Sequence, residues 1–330
     1  MLKKLHAERG VTLIELLIAS VLGLFLVMGT YSIYFTNKKT FEFADGLARL
    51  QENARVIVER LNHDVRMAGY IGCSRLPDVF IKPLGTISLA EDTAIIGWHG
   101  GKAHTSFVLP PQIAKRTVRD SDILLVQEMD PDTADVTNIN VAGDAISIAG
   151  KMDFKKGDVL MIASCQHVDF IRVEKISFRG GATTIYTSQD SPKLLAPDYQ
   201  ENSQIGYLLS LFYYVAKTTR KNKEGDAVFA LYSQDANSPK PSELVDGVEN
   251  MQLSFAVLNS GQQNLQDLTA DNINNWAAVR SVSIALLMDS VEGIADRQLS
   301  YTFAGKTYQA KDHLLRKEVD TTIALREWLP

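Results

Sequence analysis

The chemistry this chain could do is concentrated near its start, in Gly10-Val-Thr-Leu-Ile-Glu15. A basic leader carrying Lys3, Lys4 and Arg9 ends at Gly10, and an apolar run continues to residue 35 with Glu15 as its one charge. An ionised side chain near the middle of a membrane helix costs about 2.5–3.5 kcal/mol on insertion scales, so it normally has a partner and a task. Cutting the chain after Gly10 would create such a partner. The new α-amine of Val11 is a cation, and Glu15 of one copy can pair with the amine of a neighbouring copy. Thr12 and Glu15 also have the spacing of a capping box, a local role that can coexist with charge pairing.

Two simpler readings compete for this segment. A secretory signal has an apolar stretch of about 7–15 residues and a small-x-small cleavage site after it. Here the run covers residues 11–35, lacks a clear A-x-A end and passes directly into a charged helical pattern. At 1.5 Å per residue it is long enough to cross the roughly 30 Å hydrocarbon core. A plain membrane anchor has that length too, but it gives no reason for Glu15 or for Gly10.

Other chemistry finds little support. The six histidines (His6, His63, His99, His104, His167 and His313) do not fall at HxxxH or HExxH spacing, and His99 and His104, in a Gly-rich loop with Lys102, read as satisfied surface residues before metal ligands. Asp130-Pro-Asp132 with Asp135 resembles a calcium loop but lacks the glycine and closing Glu of an EF-hand. Phosphate-cradle and nucleophile-elbow motifs are absent. The chain is therefore not expected to be an enzyme or to need a cofactor. Phe212-Tyr-Tyr214 reads as strand core before it reads as a stacking platform. Net charge is −5, and without the first ten residues the chain has 31 Lys and Arg against 38 Asp and Glu. An acidic chain without basic clusters argues against nucleic acid as a partner.

The elements that position this segment are read from periodicity. Leu47, Leu50, Ala54, Ile57, Leu61, Val65 and Ala68 repeat at helical spacing, with Arg49, Glu52, Arg55, Glu59, Arg60 and Asp64 in the other positions. One helix is predicted over about residues 11–68, apolar all round in its first half, with Gly69 as its stop. Gly23, Gly29 and Gly46 lie inside it and would allow bending. Beyond Gly69 the period is that of strands, at residues 122–127, 158–163, 168–173, 183–186, 207–216, 228–232, 251–258 and 279–287. Turns are expected at Asp246-Gly247 and Gly180-Gly181, a short helix near residues 271–275, and exposed loops at 130–137 and 217–226. The fold class is α+β: a long N-terminal helix followed by a large antiparallel β-rich domain. The predicted parts are a leader at residues 1–10, a helix at 11–69 with 11–35 crossing the membrane, and a domain at 70–330. The basic leader favours a cytoplasmic N-terminus and a soluble remainder outside the cytoplasm. There, two cysteines, Cys73 and Cys165, suggest a disulfide, against the alternative of two buried thiols.

The N-terminal residues Gly10, Val11, Thr12 and Glu15 resemble those of type IV pilins and pseudopilins, although Val11 stands where that family most often has Phe. Arg66-Met-Ala-Gly-Tyr-Ile-Gly-Cys73 is similar to the Cys-bearing junction of PilW-type minor pilins, and residues 157–165 to the strand leading to their second Cys. Residues 244–252, Trp276 with 279–287, and 320–326 resemble late strands shared with J-type pseudopilins. The resemblance implies cleavage between Gly10 and Val11 by a prepilin peptidase, N-methylation of Val11, and charge pairing by Glu15. It also implies assembly from the inner membrane into a pilus tip complex with other minor pilins, the major pilin and a PilY-type adhesin. The alternatives are a J-type pseudopilin of type II secretion, or an unprocessed, membrane-tethered periplasmic binding protein or enzyme. Residues 82–117 and 133–150 match no known pattern.

Overall fold

The computed structural model describes residues 12–72, 74–75, 80–82, 94–100, 102, 109–194, 196–199, 203–236, 238, 240–258 and 264–325. Helix α1 spans Leu13–Met67 in 55 residues, about 80 Å at the standard rise. Thr12 caps its start and Gly69, at φ 80°, ends it. The Gly69 N–H then bonds the Gln127 carbonyl at 2.7 Å, fixing the helix exit to the sheet.

The strands are β1 (Tyr70–Ile71), β2 (Ser74–Arg75), β3 (Phe80–Lys82), β4 (Ile95–Trp98), β5 (Ile123–Met129), β6 (Ala134–Ile139) and β7 (Ala145–Ala149). They continue as β8 (Val159–Ala163), β9 (His167–Arg179), β10 (Ala182–Thr187), β11 (Gln204–Gly206), β12 (Leu208–Lys221), β13 (Ala227–Asp235) and β14 (Ser242–Asp246). The last are β15 (Val248–Val257), β16 (Gln266–Leu268), β17 (Val279–Asp289), β18 (Ser300–Phe303), β19 (Lys306–Gln309) and β20 (Arg316–Ala324). A second helix, α2, covers Pro111–Arg116.

A five-stranded sheet in the order β14-β13-β12-β5-β4 packs with a four-stranded sheet in the order β16-β15-β17-β20. Helix α1 packs against β5, β14, β17 and β20. Leu50, Ile57, Leu61 and Val65 enter one core with Trp98, Phe212, Tyr213, Phe255 and Trp276. A separate ring is formed by β10-β7-β6-β11-β8-β9, closed by pairing of β10 with β9. Among the described residues all pairings are antiparallel except that of β3, which adds to β9 in parallel. Tyr301 and Tyr308 stack on the outlying β18–β19 hairpin.

Several sequence expectations are corrected. Residues 130–137 are not one exposed loop: β6 begins at Ala134, with Ala134, Val136 and Ile139 buried and Asp135, Thr137 and Asn138 outward. In the 217–226 segment, β12 runs to Lys221 and the turn is held by the Asn222 N–H to Asp226 carbonyl bond at 3.0 Å. The helix near 271–275 is two short 3-10 turns, Ala270–Asn272 and Trp276–Ala278. Gly46 permits contact: a Cβ there would lie 2.8 Å from Ile294 Cδ1, whereas Gly23 and Gly29 face open space.

Candidate assembly site

The first half of α1 stands free of the domain, and its long apolar side chains from Leu13 to Phe35 are all exposed. Such a surface is stable in lipid or against other helices, and is costly in water. Its hydroxyls are turned inward along the helix: Ser20 Oγ donates to the Leu17 carbonyl at 2.9 Å and Thr30 Oγ1 to the Leu26 carbonyl at 2.5 Å. Tyr31, Tyr34 and Phe35 cluster at its far end, where an aromatic belt would meet a membrane interface. Lys38 and Lys39 follow, and Lys39 Nζ reaches Asp296 of the domain at 3.0 Å.

Glu15 lies in the first turn. Its Oε2 accepts from the Thr12 N–H and from Thr12 Oγ1, both at 2.9 Å, while the Glu15 N–H donates to Thr12 Oγ1 at 3.4 Å. This is the reciprocal capping box that the spacing suggested. The carboxylate is held at the helix start, its Oε1 taking no hydrogen bond from any described residue. Gly10 and Val11 lie outside the described residues. So does Cys73. Cys165 follows β8 directly, and Gly72 lies against Gln204, whose strand partner is Ala163.

Where α1 meets the sheet, the sequence reading missed a polar cluster. Asp64 falls among the polar positions of the helix by residue type, yet it is 1% exposed. Arg60 Nε donates to its Oδ2 at 2.6 Å, His63 Nδ1 lies 2.9 Å from its Oδ1, and the Tyr213 hydroxyl donates to Oδ2. Burial and the Asp64 charge raise the Tyr213 pKa, so the phenol stays a donor. Glu128 on β5 is buried beside this cluster, and its Oε2 has no hydrogen-bond partner among the described residues. Burial, then the Asp64 charge, pushes Glu128 up to about 7, opposed by His63 and Arg60. The signal was present in the heptad: position 64 lies seven residues after Ile57, itself seven after Leu50.

His99 Nδ1 contacts the buried Asp122 at 2.8 Å, and Asp122 Oδ2 accepts the Leu253 N–H at 2.8 Å, joining the two sheets. Burial pushes Asp122 up to about 6. Arg316 is gripped by Glu249 and Asp312. Asp130 accepts the Asp132 N–H at 2.9 Å, a turn contact, and the described residues contain no group of three potential metal ligands. Phe212, Tyr213 and Tyr214 are fully buried, which excludes the stacking platform.

Two families match this sequence. The prokaryotic N-terminal methylation motif matches residues 5–31, and type IV pilus-assembly protein W matches residues 212–327. The second match takes in most of β12 and all of β13 to β20, and does not include the Cys-bearing segments. Comparison with curated proteins and with solved structures finds no match. The two matches make the chain similar to PilW-type type IV minor pilins.

Proposed function

We propose that this PilW-type chain is a minor pilin that helps prime and cap a type IV pilus within a tip complex. Its leader is removed between Gly10 and Val11 by prepilin peptidase, which also methylates the Val11 amine. The chain crosses the inner membrane once through residues 11–35, with the N-terminus cytoplasmic and the β domain periplasmic. It then leaves the membrane with other minor pilins, the major pilin and a PilY-type adhesin. The observation carrying this reading is one uninterrupted helix that is apolar and exposed at one end and locked to a PilW-matched domain at the other.

Assembly moves the apolar half from lipid into packing with neighbouring helices, where van der Waals contact replaces lipid contact. Glu15 meets the amine of an adjacent copy. Wrong register leaves a charge unpaired in a low-dielectric core, which costs several kcal/mol by order of magnitude. The match to a pilus-assembly family favours a pilus over type II secretion.

Processing tests this reading. Expressed with prepilin peptidase, the chain is expected to begin at a methylated Val11, and Gly10→Val is expected to insert in the membrane with its leader attached. Normal shortening of the Gly10→Val chain would contradict pilin-type processing.

A further inference from the structure

Met129 and Leu208 are Cα partners on adjacent strands β5 and β12. The chain therefore leaves the five-stranded sheet and returns to it at neighbouring points, with the whole ring of β6 to β11 between them. The ring is closed, so among the described residues no strand of another sheet pairs with it apart from the outer strand β3. It has its own apolar core, including Ile146, Ile148, Leu160, Ile162, Ile171 and Ile185, distinct from the core shared by α1 and the two sheets. Among the described residues its apolar contact with the rest is a small seam. Alternate residues of β8 and β9 (Met161, Ala163, Val168 and Phe170) turn outward to meet Ile71, Met129 and Leu208.

Paired attachment points and a private core are the marks of an inserted unit. The PilW match begins at residue 212 and includes none of the ring. The seam at Ile71 lies beyond the end of α1, about 48 Å of helix from residue 35. This places the ring far from the apolar segment.

We infer that residues 130–207 form a separately folding barrel inserted in the pilin frame, displayed as an appendage and not used in filament packing. The appendage role rests on the proposed pilin function; the separate folding does not.

Hydrogen exchange on the full chain tests the folding. Ile171→Ala opens a cavity in the barrel core, and exchange is expected to rise about tenfold or more across β6 to β11 only. Equal acceleration in β12, β15 and β17 would overturn separate folding. The second test joins Met129 to Leu208 through a short Gly-Ser linker, with Cys73→Ser to avoid a lone thiol. That chain is expected to lose its leader and appear in sheared pili at parental levels. Leader removal with absence from pili, or exchange showing an unfolded frame, would overturn the appendage. A parent chain that keeps its leader in the presence of prepilin peptidase would overturn the pilin reading and the appendage with it, and leave the Ile171→Ala result standing.

Discussion

The Tyr213 hydroxyl donates to Asp64 across the joint between helix and sheet, a bond between residues 149 apart in sequence. It places a carboxylate inside the protein with three donors around it, Arg60, His63 and Tyr213. A buried charge so satisfied fixes one docking angle for α1, because rotating or sliding the helix would strip it of partners. The same helix carries the apolar segment outward, so this joint sets how the domain is held relative to that segment.

Tyr213→Phe removes one donor and keeps the ring. Asp64 is then left with Arg60 and His63, and the domain is expected to lose about 1–3 kcal/mol of stability. Urea unfolding of the protein lacking residues 1–35 measures it. A midpoint equal to that of the parent would mean that Tyr213 does not hold the joint.

Glu128 makes the joint sensitive to pH. Its ordinary value is 4.5 and the folded protein pushes it to about 7, through burial and then Asp64. The folded state thus keeps a proton that the unfolded chain has released between these values. The stability from this group is full below about pH 4.5 and is lost as pH rises to about 7. Asp122, pushed to about 6, and Asp289, pushed to about 7, have the same sign. The difference between Glu128→Gln and parent isolates Glu128. The variant is expected to gain about 1–3 kcal/mol relative to the parent between pH 4.5 and 8. Parallel stability curves would contradict this.

The helix was legible because its stripe repeats at 3.6 residues and its first half has almost no charge. The long strands were legible because Val, Ile and aromatic residues alternate between turn residues. β6 was not, since Asp135, Thr137 and Asn138 occupy its outward positions and make the segment look like a loop. Closure of the barrel was hidden for a different reason. It depends on the register of β10 against both β7 and β9, and pairing between distant strands leaves no local pattern. Asp64 looks exposed by residue type, and only its place in the heptad with Leu50 and Ile57 points inward. In the candidate site, the Thr12–Glu15 cap was legible from spacing, whereas Glu128 gave no sign of its burial beside Asp64.

A Cys73–Cys165 bond is proposed to tie the helix exit to the barrel. Gly72 lies against Gln204, the strand partner of Ala163, two residues before Cys165. Closing a loop of about 90 residues contributes on the order of 4–5 kcal/mol in the chain-entropy description. The non-reduced protein is expected to resist alkylation, with no added mass. Two alkylated cysteines in protein recovered from the periplasmic side would remove the bond from the account.

We propose that Glu15 serves assembly and not folding. Its side chain hydrogen-bonds only to Thr12 among the described residues, far from the β domain. Glu15→Ala is therefore expected to lose its leader, insert in the membrane and keep a folded domain with the parental melting temperature. Its recovery in sheared pili is expected to fall strongly, since the neighbour's amine is left without a partner in the filament core. The measurement is the amount of Glu15→Ala chain in purified pili relative to the membrane fraction. A low ratio is the result predicted; a parental ratio would reduce Glu15 to a helix cap and contradict charge pairing between subunits.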